Sequence, residues 1–136
     1  MGVEVRVNPE VSDNALNALI GAAWNGLEAK KGIGERLRRH SLAYLCAFEG
    51  AELVGFVNVA WDGNVHGFIL DTTVRPDYQR QGVGMRLVEK AATIAKDRGL
   101  EWLHVDYEEE REGFYRACGF RPTRAGLIRL KGVNSG

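Results

Sequence analysis

The sequence predicts a mixed α/β (α+β) domain, a central mixed and mostly antiparallel sheet flanked by helices. Three observations carry this. Residues 42–48, 52–61 and 66–74 are apolar runs separated by Glu49-Gly50 and by Asp62-Gly63, a strong hairpin signal, and they read as an antiparallel meander. Val83, Leu87, Ala91 and Ile94 then recur at helical spacing between the run ending at Val74 and another at residues 100–105. That is a strand–helix–strand crossover, which pairs its strands in parallel and with right-handed connection. Finally, 136 residues with 45% hydrophobic and 26% charged side chains suit one soluble domain spanning residues 1–136.

The elements follow in order. Residues 3–7 alternate apolar and charged, the period of a half-buried strand, and stop at Asn8-Pro9. Ser12-Asp13-Asn14 offers helix caps ahead of Leu16, Leu19, Ile20, Ala23 and Leu27, which share one helical face and predict a helix to about Leu27. Residues 35–40 form a short basic segment around Leu37, read as a solvated helix face. After the meander, Arg75-Pro76 ends the third run and the helix from Val83 continues to Arg98, with Gly99 at its stop. Residues 100–105 predict a strand and residues 108–117 a short helix with an acidic first turn and Gly119 as its cap. A last strand is expected at residues 127–130 and a frayed tail at 131–136.

Composition narrows the partners. Eighteen basic and eighteen acidic residues cancel, so no global field draws the chain to nucleic acid or an anionic membrane. No stretch approaches the roughly 20 apolar residues of a membrane helix, and the N-terminal residues lack the pattern of a secretory signal. Cys46 and Cys118 show no CxxC or Cys/His metal spacing and read as reduced packing residues. The expectation is a cytoplasmic protein without a metal.

The chemistry concentrates at residues 74–86. A strand ends at Val74, a loop turns, and Gly82 and Gly84 open a helix, so free backbone N–H groups and the positive end of a helix dipole meet at one place. Arg75, Arg80 and Arg86 against Asp77 leave a local charge of +2, suited to an anion such as phosphate. Two familiar anion loops do not fit. A P-loop needs Gly-Lys-Ser/Thr, and no Lys here precedes Ser or Thr; a dinucleotide fingerprint needs glycine where Leu87 stands.

In this setting Gln79-Arg80-Gln81-Gly82-Val83-Gly84, after a strand ending Val74-Arg75-Pro76, resembles the acyl-coenzyme A pyrophosphate loop of the GNAT superfamily of N-acetyltransferases, Gln/Arg-x-x-Gly-x-Gly/Ala. Downstream, Phe114-Tyr115-Arg116-Ala117-Cys118-Gly119-Phe120 resembles the superfamily's Phe-Tyr-x-x-x-Gly-Phe signature, and the element order agrees over residues 3–130.

The resemblance implies that the N–H groups of Gln81, Gly82, Val83, Gly84 and Met85, with Gln79 and Arg80 in the same loop, hold the coenzyme A pyrophosphate. Pantetheine would lie along Thr72, Thr73 and Val74, in the gap where this strand leaves residues 100–105. An N–H near Val74 would polarise the thioester carbonyl. It implies acetyl-CoA as cosubstrate, a small-molecule or peptide amine as acceptor, and direct attack of the amine in a ternary complex. Tyr115 stands at the position of the general acid that protonates the leaving thiolate, with an aromatic packing role as the alternative. Asp71 and Asp106 are alternative bases, and Asp71 equally suits a structural hydrogen-bond acceptor. Trp24, Asn25, Tyr44 and Trp61 are candidate walls of the acceptor site. Asp106 to Glu112, with five acids against Arg111, departs from the family's frequent Asn there and offers either dipole stabilisation or an acidic rim for a cationic amine. A non-catalytic coenzyme A-binding sensor or partner module is the alternative function, and a homodimer through an exposed edge strand is compatible with a domain of this type.

Overall fold

In a computed structural model of the chain, which describes residues 2–24 and 31–132, the fold divides into two units, Met1–Val105 and Asp106–Gly136. The first holds a five-stranded sheet in the order β1 (Glu4–Val7), β2 (Ser41–Glu49), β3 (Glu52–Trp61), β4 (His66–Val74) and β5 (Trp102–His104). The expected meander is present: β1 to β4 pair antiparallel in sequence, and β5 returns parallel to β4. Gly50 takes the left-handed φ of +60° that the β2–β3 turn requires. The β3–β4 connection is longer than a two-residue hairpin. Asp62 accepts hydrogen bonds from the Asn64 and His66 N–H groups, which pull its carboxyl below the ordinary range and hold the loop in shape.

Strand periodicity sorts the sheet into two faces. On one, Cys46 and Phe48 of β2 and Phe56 of β3 meet Leu16 and Leu19 of α1 (Asp13–Ala23) and Ile33 and Leu37 of α2 (Ile33–His40). The Ser12 hydroxyl caps α1 by accepting from Ala15 N at 3.0 Å, as expected. Asp13 Oδ1 accepts from Gly34 N at 2.9 Å and staples the two helices together. The other face receives α3 (Val83–Asp97), whose buried stripe is Val83, Leu87, Val88, Ala91 and Ala95. Full burial of a side chain such as Leu87 is worth about 1.5–3 kcal/mol. Gly55 lets α3 approach β3 closely, since a Cβ there would stand 2.9 Å from Leu87 Cδ1. Helix α1 ends at Ala23, with Trp24 as its cap. The expected end at Leu27 and the candidate Asn25 lie outside the described residues.

In the second unit a 3-10 turn at Glu109–Arg111 leads into α4 (Glu112–Ala117). Gly119, φ +105°, ends the helix as expected, with its N–H donating to Arg116 O and that of Phe120 to Tyr115 O. The strand expected at residues 127–130 is not formed. Among the described residues they join no ladder, and Leu127, Ile128 and Leu130 are 84, 83 and 92% exposed. A run of strand-forming residues becomes a strand only where a neighbour completes its hydrogen bonds. Among the described residues no helix is long and apolar enough to cross a membrane.

Candidate active site

The end of β4 and the start of α3 are joined by a 3-10 turn at Pro76–Tyr78 and the loop through Gly82. Arg80 and Gly82 both take left-handed conformations, φ 64° and 83°. This folds the loop into a concavity of the kind in which successive N–H groups face one point. The side-chain amides of Gln79 and Gln81 brace it, donating to Val74 O at 2.9 Å and to Asp77 O at 3.2 Å. Among the described residues the amides of Gln81, Gly82, Val83, Gly84 and Met85 have no acceptor. They coincide with the open first turn of α3, where the helix dipole adds positive potential.

The local charge differs from the tally of the sequence. Arg75 donates to Asp77 through Nε (2.7 Å) and Nη2 (3.0 Å) and to Glu52 through Nη1 (2.6 Å), and its guanidinium covers the Tyr78 ring. The hydrogen bonds it donates to Asp77 and then to Glu52 raise its pKa further, while Asp77 is lowered by the same Arg75 contact. Arg75 is thus committed to the turn. Arg86 Nη2 donates to Val3 O at 2.8 Å, tying the first turn of α3 to the N-terminal residues. Arg80, exposed, remains the loop's side-chain cation.

Among the described residues the second half of β4 has no strand paired to it on its β5 side. Parallel pairing covers only His66–Trp102, Gly67–Leu103 and Phe68–His104. Beyond Phe68 the main chain of β4 is open on that side among the described residues, which is the gap expected beside Thr72, Thr73 and Val74. A bulge lies in the same stretch. Phe56 pairs Thr73 while Asn58 pairs Leu70, so Val57 faces both Asp71 and Thr72, and Asp71 takes φ 60°. Among the described residues Thr72 Oγ1 is buried without a hydrogen-bond partner. A buried hydroxyl left unsatisfied costs about 1–3 kcal/mol. The unpaired amides, the open strand and this hydroxyl fit the phosphates and amides of coenzyme A.

The remaining candidates divide. Trp24 Nε1 donates to Thr73 Oγ1 at 3.2 Å, and Thr73 Oγ1 donates to Asp71 O at 2.8 Å. Asp71 Oδ2 accepts from Arg36 Nη2 of α2 at 2.8 Å. Trp24, Thr73, Asp71 and Arg36 therefore form one chain of contacts beside the bulge. Arg36 had the look of a solvated helix residue; only its tertiary contact shows its place. Tyr44 sits apart, its hydroxyl donating to Pro9 O at 2.7 Å, where it lines a groove of about 420 Å³ with Glu10, Ser12 and Arg38. Burial is the main cause that raises its pKa. Trp61 pairs with Gly67, at the end of β4 away from Val74. In the second unit, Tyr115 is 6% exposed, stacked on Tyr107 at 5.2 Å and edge-on to Phe114 and Phe120. Asp106 is exposed in the same unit.

A mixed sheet whose parallel strands part beside an amide-lined loop defines the class of GNAT-fold proteins. The chain matches the sequence model of the Acetyltransferase (GNAT) family over residues 14–120, and it belongs to that family. It is 28% identical over 75 residues to the thialysine N-epsilon-acetyltransferase of Sus scrofa, a match covering 53% of this chain and 44% of that protein. The matched stretch spans less than half the length of the first curated relatives. Among solved structures, a Trypanosoma brucei acetyltransferase superposes with a TM-score of 0.80 at 23% identity, covering 96% of this chain and 99% of that one. An aminoglycoside N-acetyltransferase, AAC(6')-Iy, in complex with CoA superposes at 0.78 with 19% identity, covering 96% and 95%.

Proposed function

We propose that this chain is an N-acetyltransferase that takes the acetyl group of acetyl-CoA to an amine acceptor by direct attack in a ternary complex. The observation that carries this is the run of amides from Gln81 to Met85, unpaired among the described residues, opening α3 directly after a strand whose ladder with β5 ends at Phe68. Membership of the family and the CoA complex of a structural neighbour support it. Acetyl-CoA supplies an activated thioester.

In this reading the amides of Gln81 to Met85 bind the pyrophosphate, with Arg80 adding charge. The open main chain of Thr72, Thr73 and Val74 and the Thr72 hydroxyl orient the pantetheine arm, and an N–H near Val74 polarises the carbonyl. Tyr115 delivers a proton to the departing sulfur. Asp71 or Asp106 receives the proton of the amine, and Arg36 holds the Asp71 carboxylate in place. The acids of residues 106–112 favour a cationic acceptor, small molecule or peptide.

The test is calorimetric titration with acetyl-CoA, followed by a panel of amines read by thiol release. Acetyl-CoA binding with amine-dependent release is expected. Tyr115→Phe is expected to lower kcat by about 100-fold or more with the acetyl-CoA Kd kept, the signature of a general acid. Binding without turnover across the panel would favour a coenzyme A-binding module; no binding by the folded protein would overturn the reading.

A further inference from the structure

His66 and His104 lie in the first unit, at the end of the β4–β5 pair opposite Val74, and the acyl-transfer reading uses neither. The parallel ladder pairs His66 with Trp102 and Phe68 with His104, which puts both histidines on one face of the sheet, two register steps apart. Their rings meet there: His66 Nδ1 and His104 Nε2 are 2.9 Å apart. Both residues are held by their neighbours. The His104 ring stacks on Phe68, with centroids 4.8 Å apart and planes at 19°. Asp62 clasps the His66 main chain, its Oδ1 accepting from His66 N at 3.1 Å and its own N–H donating to His66 O at 3.0 Å. His104 is exposed and His66 half-buried, so solvent reaches the pair.

We infer that this pair is a binding site for a divalent transition-metal ion of the Zn²⁺ and Cu²⁺ class, held by His66 Nδ1 and His104 Nε2. Two imidazole nitrogens about 2.0–2.1 Å from one ion, at an angle between square and tetrahedral, lie about 2.8–3.4 Å apart. The separation of 2.9 Å falls in that range, so an ion replaces the proton that the two nitrogens share with little movement of either ring. In the neutral pair one of the two nitrogens carries that proton. On binding it passes to the outer nitrogen of the same ring, and each ring then turns a lone pair inward. The Asp62 carboxylate, which interacts electrostatically with His66, adds negative potential beside the ion. Among the described residues no group of three His, Cys, Asp or Glu side chains is placed to hold a metal, so the chain supplies two ligands and water completes the shell. Imidazole donors select zinc, nickel and copper over magnesium and calcium, which require oxygen ligands. The ion bridges β4 and β5 where three residue pairs join them, and so fastens the short strand β5 to the sheet.

The inference stands apart from the acyl-transfer reading, and its test needs no substrate. The untagged 136-residue chain is titrated calorimetrically with Zn²⁺ and with Cu²⁺ in a non-chelating buffer, and the Cu²⁺ complex is read by electron paramagnetic resonance. One ion per chain is expected, with Cu²⁺ tighter than Zn²⁺, two nitrogen ligands in the Cu²⁺ spectrum and no response to Mg²⁺. His66→Asn and His104→Asn, with far-ultraviolet spectra unchanged, are each expected to weaken binding about 10-fold or more, since even an outer partner of a ligand is worth that much. His40→Asn, which removes the third histidine, and Cys118→Ser are expected to bind as the wild type does. The spectrum tests the site on the wild type itself, whatever the stability of the variants. No binding by the folded wild type, a Cu²⁺ spectrum without two nitrogen ligands, binding kept by either His66→Asn or His104→Asn, or binding lost in His40→Asn or Cys118→Ser would each overturn the inference.

Discussion

Gly82 separates two contributions that the loop combines, backbone shape and electrostatic potential. Its φ of 83° lies in the left-handed region, and a Cβ built there meets nothing within 4 Å. Gly82→Ala therefore carries a conformational cost alone, about 1–2 kcal/mol. For a chain of this size that is a fall of about 3–10 °C in Tm. Gly82→Glu has the same backbone cost and adds a negative charge beside the proposed pyrophosphate site. Two unit charges about 4 Å apart repel by about 1 kcal/mol in water and about 4 kcal/mol near a protein surface. Taking about 2–3 kcal/mol gives roughly a 30- to 150-fold weaker acetyl-CoA Kd. Melting followed by circular dichroism and titration calorimetry read the two effects separately. The two variants should melt together, and only Gly82→Glu should lose most of its affinity, less so at high salt. Wild-type affinity in the glutamate variant, or an equal loss in both variants at every salt concentration, would refute the assignment of the loop to an anion.

Thr72→Val removes the buried hydroxyl that has no partner while keeping the side chain's shape. The free protein should be as stable as the wild type or up to about 1 kcal/mol more so in urea unfolding, and acetyl-CoA should bind roughly fivefold more weakly, from one lost hydrogen bond. A clear loss of stability would count against it. Gly55→Ala places a methyl 2.9 Å from Leu87 Cδ1 and 3.2 Å from Ala47 Cβ and Val83 Cγ1, all buried. Overpacking of about 1–3 kcal/mol should show as a lower urea midpoint with an unchanged slope. Burial pushes the Cys46 thiol up to about 12. A folded pKa above the unfolded one contributes stability that is full below about pH 8.5 and is lost as pH rises toward 12, at about 1.4 kcal/mol per unit in between. Stability should therefore fall more steeply above pH 9 in the wild type than in Cys46→Ala; parallel profiles would contradict this.

Much of this molecule is legible before it folds because the information is local. The meander follows from three apolar runs and their turns, α3 from one stripe of four residues, and the α4 stop from Gly119. The loop is legible for the same reason, since Gly82 and Gly84 stand next to the strand end and helix start they serve. Arg75 was not. Three arginines count alike in a sequence, but Glu52 lies 23 positions from Arg75 and meets it only once β3 and β4 are paired.

The sequence by itself determined the kinds and order of the elements as far as α4, because periodicity, caps and glycines act over a few residues. Tertiary structure alone decided that the β4–β5 ladder stops after three pairs, that a bulge turns Asp71 toward Arg36, and that Thr72 keeps a hydroxyl without a partner. It also decided that residues 127–130 remain without a ladder. Each of these depends on which groups distant in sequence meet in register, and hydrogen-bond satisfaction is a property of the assembled sheet rather than of any one strand.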